Sequence, residues 1–145
     1  MASLFTKVER GAWSGFVATQ ARMFRAIEDD LRKRFGITHA EFEVLLRLYL
    51  SEDGRMRLQD LAARSLLSTS GTSRAVERLV RGGHVTREGA PEDARGAYAV
   101  LTKGGRGHFE AAAEAHVALV RKEFLSHLSE DEQVQLGAWW ARMGR

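Results

Sequence analysis

No cysteine occurs in the sequence, which excludes a structural disulfide and a thiol-based redox sensor and leaves methionine oxidation open. Proline occurs once, at Pro91. No uninterrupted apolar stretch approaches a membrane-spanning helix, and the opening MASLFTKVERGAW lacks the apolar core of a signal peptide. A soluble, cytoplasmic protein with no membrane partner is therefore expected. Low-complexity tracts and internal repeats are also missing, and 145 residues with 44% hydrophobic content suit one domain with a sizeable core. Catalytic groupings are absent as well. Glu28, Asp29 and Asp30 are consecutive and so point to different faces of a helix, and no Ser-His arrangement is visible. The five histidines, His39, His84, His108, His116 and His127, include no i, i+4 pair, and His116 and His127 read as distant positions on one helix. The expectation is a protein that is not an enzyme, with no cofactor and no metal site.

What is present is concentrated in the middle of the chain. Residues 1–54 hold 8 basic and 8 acidic side chains, residues 55–106 hold 10 and 5, and residues 107–145 hold 4 and 6. The overall charge of +3 thus conceals a basic segment of +5 between neutral and acidic flanks, the electrostatic footprint of a nucleic-acid surface.

Within that segment, Thr72, Ala75, Val76 and Leu79 recur at helical spacing and form a small apolar stripe. The opposite stripe, Ser70, Ser73, Arg74, Glu77, Arg78 and Arg81, carries only hydroxyls and ions, and Ser68 is placed to cap the helix. Short hydroxyls at the leading end and arginines behind them are what a helix needs to enter a major groove. By itself such a face also fits an ordinary solvated helix. The residues that follow favour the groove: Gly82 and Gly83 can end the helix, His84–Glu88 and Ala97–Thr102 read as two short strands, and GAPEDARG between them is a turn-rich tip. Before the helix, Leu58, Leu61, Ala62, Ser65 and Leu66 make a short apolar face, and SLLSTSG supplies a tight turn. A helix-turn-helix followed by a two-stranded wing is a winged-helix module.

The wing carries an aspartate, an arginine two residues on and a later Leu-Thr pair, standing as Asp93, Arg95, Leu101 and Thr102 and followed by Lys103 and Gly104. With SGTSRAVERLVRGGHVTR upstream, ending at Arg87, this resembles the MarR family of bacterial winged-helix transcription regulators over nearly all of the chain. The resemblance implies that Arg95 enters the minor groove, that Asp93 braces the wing, and that Ser68, Thr69, Ser70, Thr72, Ser73, Arg74, Arg78 and Arg87 complete the DNA-facing set. Two departures stand out: Arg57, where the family often has a threonine or serine cap, and His84, where an aliphatic residue is usual and packing beneath the wing could loosen.

The flanks show long amphipathic helices. Phe16, Met23, Ile27, Leu31 and Phe35 share one face of a helix ending near Gly36; a capping box, Thr38 to Glu41, opens a second that carries Phe42, Leu45, Leu46 and Tyr49 inward. After the wing, Phe109, Ala113, His116, Val120, Phe124 and Leu128 stripe one long helix, and Ser129 with Glu132 caps a last one bearing Leu136, Trp139, Trp140 and Met143. Aromatics this large and numerous point to a second subunit interleaved with the first helix and the last two, with simple intrachain packing as the alternative.

The expected fold is mainly α with a small β-wing (α+β): a single domain of residues 1–145, with residues 1–36 and 104–145 as dimerisation helices around a winged-helix DNA-binding lobe of residues 37–103. A homodimer would read two half-sites of a pseudo-palindromic duplex operator about 34 Å apart. By the same resemblance the chain is a repressor released by a small aromatic or anionic effector, met by Trp13, Arg22, Arg25, His39 and Phe42. Two alternatives stay open: a transcription activator, and an architectural DNA-binding protein without an effector.

Overall fold

The computed structural model describes residues 4–90 and 93–144, with the backbone alone at residues 90 and 93–95. In chain order the elements are α1 (Lys7–Phe35), α2 (His39–Tyr49), β1 (Arg55–Arg57), α3 (Leu58–Arg64), α4 (Thr69–Arg81), β2 (Val85–Ala90), β3 (Asp93–Leu101), α5 (Lys103–Glu123), a 3₁₀ turn at Leu125–His127, and α6 (Glu130–Met143). The chain is mostly helical with one small antiparallel sheet, as its patterning predicts. No described helix is long and apolar enough to cross a membrane. Two compact units divide it: Asp30–Ala115, and the helical segments on either side of that range.

The central unit is built on local signals that the sequence states clearly. Thr38 Oγ1 accepts the Glu41 amide at 3.1 Å while the Glu41 carboxylate accepts the Thr38 amide at 2.7 Å, closing the capping box that starts α2. At the end of α4, Gly83 takes φ +75°. Its amide donates to Val80 and that of His84 to Leu79, at 3.0 and 2.9 Å, so the last carbonyls of the helix are satisfied by a left-handed turn that glycine adopts without strain. The core gathers Leu31 from α1, Phe42, Val44, Leu45 and Leu48 from α2, Leu61 from α3, Ala75, Val76 and Leu79 from α4, Val85 and Ala99 from the sheet, and Phe109 and Ala112 from α5. Phe109 is the hub of its aromatic part, 5.3 Å from Phe42 and 4.8 Å from Tyr49 between ring centroids.

Several expectations are corrected. The sheet has three strands in the order β1-β3-β2, not two, because Arg55, Met56 and Arg57 pair with Val100, Ala99 and Tyr98. A three-residue strand with two arginines has no strand-like composition and exists only because β3 offers it an edge. The hairpin is also longer than read: β2 runs to Ala90 and β3 begins at Asp93, with a register shift at Gly89/Ala90 absorbing residues whose composition resembles a loop. Pro91 lies outside the described residues. Leu66 is 83% exposed, since α3 ends at Arg64 and Ser65 turns into extended backbone before Leu66 can share its face.

In the helical unit α5 stops at Glu123 rather than running on to Leu128. Phe124 leaves helical geometry (φ −132°, ψ −62°), so His127 belongs to the 3₁₀ turn and not to the helix of His116. Ser129 and Glu132 form the expected capping box of α6, and the Gln133 side chain donates to the Leu125 and Leu128 carbonyls at 3.3 and 3.1 Å, fastening the turn to α6. Trp13, Phe16 and Trp140 form a tilted ring series with centroid separations of 5.9 and 5.6 Å. None of the described residues of this unit is buried, and of the α1 stripe only Leu31, in the other unit, is.

The start of α5 is pressed against the α4–β2 turn. Thr102 Oγ1 accepts the Gly105 amide at 2.9 Å and lies 2.8 Å from the Gly83 carbonyl, to which it can donate. A Cβ at Gly105 would overlap the His84 carbonyl carbon and oxygen, both backbone atoms that cannot swing away. Gly105→Ala is therefore expected to destabilise the fold by about 3 kcal/mol, the upper end of ordinary overpacking costs. Urea unfolding of the variant against the parent measures it, and an unchanged midpoint would contradict the close approach.

Candidate nucleic-acid interface

The leading end of α4 is shaped by Ser68. Its hydroxyl accepts the Gly71 amide at 3.1 Å and lies 3.3 Å from the Ser70 hydroxyl. Thr69, Ser70, Ser73 and Arg74 then stand exposed along one face, with Glu77, Arg78 and Arg81 behind them. The predicted row is thus brought together on a single helix, with one member removed. Thr72 is only 2% exposed: its Oγ1 sits 3.0 Å from the Ser65 hydroxyl and 3.1 Å from the Ser68 carbonyl, so it ties the turn between α3 and α4 instead of offering a hydroxyl to DNA. The inward stripe that the spacing assigns to Thr72 accounts for this; its place in the DNA-facing set came from the family resemblance.

Arg78 has a different partner from the one expected. Its Nε donates to the Glu41 carboxylate of α2, and Glu41, 5% exposed, uses its other oxygen on the Thr38 amide. The ion pair holds the back of α4 to the start of α2. Arg87 on β2 is exposed and borders a cleft of about 360 Å³ that also takes in Arg57, Gln59, Ala62, Thr69, Ser73 and Ala97. For Asp93 and Arg95 only the backbone, at the start of β3, is described. Sequence reasoning did not find Glu41 as a partner of α4, nor Arg57 and Tyr98. Arg57 Nε donates to the Tyr98 hydroxyl at 3.3 Å, and Arg55 lies over the same ring at 4.1 Å. The odd residue type at position 57, an arginine where a cap belongs, was the available signal.

The candidate effector residues are described within their own units. In the helical unit Trp13 is exposed and packs on Phe16, Arg22 pairs with Glu123 at 3.7 Å and donates to its carbonyl at 3.3 Å, and Arg25 is exposed. In the central unit His39 is half-buried at the first residue of α2, and Phe42 is buried against Phe109. Among the described residues no three His, Asp or Glu side chains gather in a metal-holding group.

His84, the second departure from the expected pattern, does not leave a gap beneath the wing. Its ring stacks on that of His108 with centroids 4.3 Å apart and planes 20° from parallel, and Phe35 meets His108 edge-on. Burial and the neighbouring His108 lower the His84 pKa below its ordinary value, against a smaller opposing pull from Glu41.

A family model described as the MarR family matches residues 35–96. The chain is 35% identical over 119 residues to YkoM, an uncharacterized helix-turn-helix-type transcriptional regulator of Bacillus subtilis, covering 80% of this chain and 75% of that protein. It superposes on AbsC, a MarR family transcriptional regulator from Streptomyces coelicolor, with TM-score 0.89 and 31% identity over 99% of this chain and 96% of that one. The chain belongs to the MarR family of transcriptional regulators. A second similar structure, Sco3205 of the same organism, is a MarR family regulator solved in complex with DNA; it shares 28% identity and TM-score 0.90 over 98% of this chain and 89% of its own.

In this MarR-family chain the His84 ring stays neutral to lower pH when folded than when unfolded, so the unfolded chain takes up the proton first. Its contribution to stability is complete above the ordinary imidazole range, about 6.5, and declines as pH falls from there toward the lowered value. Melting temperature should drop on acidification from about pH 7.5 to about pH 5.5, and drop less in His84→Asn. An identical acid response in parent and variant would remove His84 from the account.

Proposed function

We propose that the chain is a homodimeric, sequence-specific DNA-binding transcription regulator that acts as a repressor and is released by a small aromatic or anionic effector. The observation that carries the DNA part is the outer face of α4: a capped leading end bearing Thr69, Ser70 and Ser73, then Arg74, backed by a compact lobe and flanked by a wing. Exposed hydroxyls and a guanidinium on a narrow helix end suit base edges and phosphates together. The DNA complex solved for Sco3205 supports the same reading. The wing residues Asp93 and Arg95 keep the roles that the family pattern implies, bracing and minor-groove entry.

Dimerisation is supported by the helical unit. It buries none of its described residues, yet carries Phe16, Val17, Val134, Trp139, Trp140 and Met143 at 42% exposure or more. Apolar surface on that scale calls for a partner, and a second copy of the same helices supplies it by symmetry. Two α4 helices related by a two-fold axis would then address a pseudo-palindrome. Light scattering at micromolar concentration should return twice the 16.2 kDa chain mass; a monomer mass would contradict the dimer.

Repression and effector release follow the habit of the family. The candidate effector contacts are Trp13, Arg22 and Arg25 in the helical unit and His39 and Phe42 in the central one. The proposal fails for these residues if Arg22→Ala and Arg25→Ala leave binding of a panel of aromatic acids unchanged.

The function is tested by fluorescence anisotropy on DNA from upstream of the protein's own coding region, against scrambled duplex, across salt concentrations. About a thousandfold preference with steep salt dependence is expected. Arg74→Ala should lower affinity and relax base preference, whereas Arg95→Ala should weaken all sequences alike and flatten the salt slope by about one. Equal affinity for both duplexes would favour an architectural role, and no binding at low salt would overturn the assignment to DNA.

A further inference from the structure

Two histidines lie ring on ring where the end of α4, the start of β2 and the opening turns of α5 meet, all within the central unit. His84 and His108 stack with centroids 4.3 Å apart, and Phe35 of α1 meets His108 edge-on at 6.0 Å. The His84 ring also lies over Gly82, where a Cβ would stand 3.1 Å from its Cδ2 and 3.4 Å from its Nε2. Its backbone is held on both sides: the His84 amide donates to the Leu79 carbonyl at 2.9 Å, and the His84 carbonyl accepts the Thr102 amide at 3.1 Å. The stacked pair is thus part of the joint that positions α4 and the first strand of the wing together.

The joint suits neutral rings. His108 Nε2 is buried and has no hydrogen-bond partner among the described residues, so a charge on this ring would find neither water nor an acceptor at that nitrogen. Stacked imidazoles at this separation also disfavour a second positive charge. From α2, Glu41 pulls on His84, but its oxygens already accept the Thr38 amide and Arg78 Nε of α4. From α1, Arg34 stands over the Phe35 ring at 5.2 Å and pairs with Asp30 at 3.5 Å. The β3–α5 junction brings the uncharged Thr102 hydroxyl to the His84 carbonyl at 3.1 Å. On α5, Lys103 is exposed and Arg106 lies over the Tyr49 ring at 4.8 Å. A proton on His84 therefore draws Glu41 against its bond to Arg78 and repels His108, and both forces fall on the parts that hold α4.

We propose that the His84–His108 stack is a proton-operated latch that loosens the sequence-specific grip of α4 on DNA as the solution becomes acidic. This rests on the DNA-binding reading above and adds a second input to it, taken at the trailing end of α4. With both rings neutral, the stack and the Glu41–Arg78 pair keep α4 in one position. A proton taken from solvent by either imidazole favours arrangements in which the rings part and the charge meets water, so the closed joint binds fewer protons than the open one. The sign separates this from ordinary electrostatics. Protonation of histidines elsewhere adds positive charge and tightens binding to every duplex alike, whereas opening the latch lowers the preference for one sequence over another.

The readout is a ratio of affinities at constant ionic strength: a duplex that the parent protein enriches from a random pool near neutral pH, against unselected random duplex. From about pH 7.5 to about pH 5.5 the parent should lose about tenfold in that ratio, the effect of a one-unit difference in imidazole pKa between closed and open joints. His84→Leu should hold the ratio within about twofold over the same range. His108→Gln removes the neighbouring charge that opposes protonation of His84, so the loss should move to higher pH, which a merely structural role would not produce. NMR titration of the ring signals needs no variant and no DNA: in the parent, His84 should titrate below the ordinary imidazole range and in step with His108. Rings that titrate independently at the ordinary value overturn the latch. So does a constant ratio in a parent that binds the enriched duplex, or an equal loss at the same pH in His84→Leu; either leaves the DNA reading standing. A parent that enriches no duplex at low salt overturns both.

Discussion

The Glu41 carboxylate holds two helices at once: one oxygen satisfies the amide that opens α2, and the other takes Nε of Arg78 from α4. A carboxylate this deeply placed costs several kcal/mol to desolvate if left alone, and it is tolerated here because both oxygens meet donors. Arg78 keeps 40% of its side chain in solvent, so the pair's net contribution to stability is modest. What it supplies is register. Apolar contacts between α2 and α4 would permit small slides and rotations, whereas a bonded charge pair admits one arrangement. This pair, together with the buried stripe Ala75, Val76 and Leu79, fixes the position in which α4 presents Ser70, Ser73 and Arg74.

The same logic extends to the turn behind α4. The His84 carbonyl lies against Gly105, its amide returns to Leu79, and its ring stacks on His108. One residue thus connects the end of α4, the start of β2 and the first turn of α5. The imidazole fills this position with a group that can take a proton. The helical unit shows the opposite economy. It has caps, an Arg22–Glu123 pair and a tilted aromatic series, but no buried side chain among its described residues. Local signals shape its helices, and the second copy proposed above would supply the burial that its described residues lack.

Features decided within a few residues were legible in the sequence. Thr38, Ser68 and Ser129 cap the helices they were expected to cap, Gly83 ends α4, and Ala75, Val76 and Leu79 face inward. Features decided between distant residues were not. Glu41 and Arg78 are 37 positions apart and Arg57 and Tyr98 are 41 apart, and neither pair leaves a periodic trace. Strand β1 is the same problem in backbone form, a segment that pairs only because β3 is there. The break of α5 at Phe124 is harder still, since the apolar stripe continues through it and no glycine or proline marks it. Thr72 carried conflicting signals, inward by helical spacing and DNA-facing by family resemblance, and spacing was the better guide.

Position 57 shows why residue type and local role can disagree without error. Forgoing an N-cap costs about 1 kcal/mol, and a partly exposed cation–π contact such as Arg57 on Tyr98 returns about 0.5–1 kcal/mol. The two nearly cancel, so fold stability does not choose between serine and arginine here. Reach does. A serine would satisfy α3 and end there, whereas the arginine leaves α3 short of an acceptor and spans the ladder to the Tyr98 hydroxyl, so the strand before the helix-turn-helix is tied to β3 by a side chain as well as by its backbone pairing.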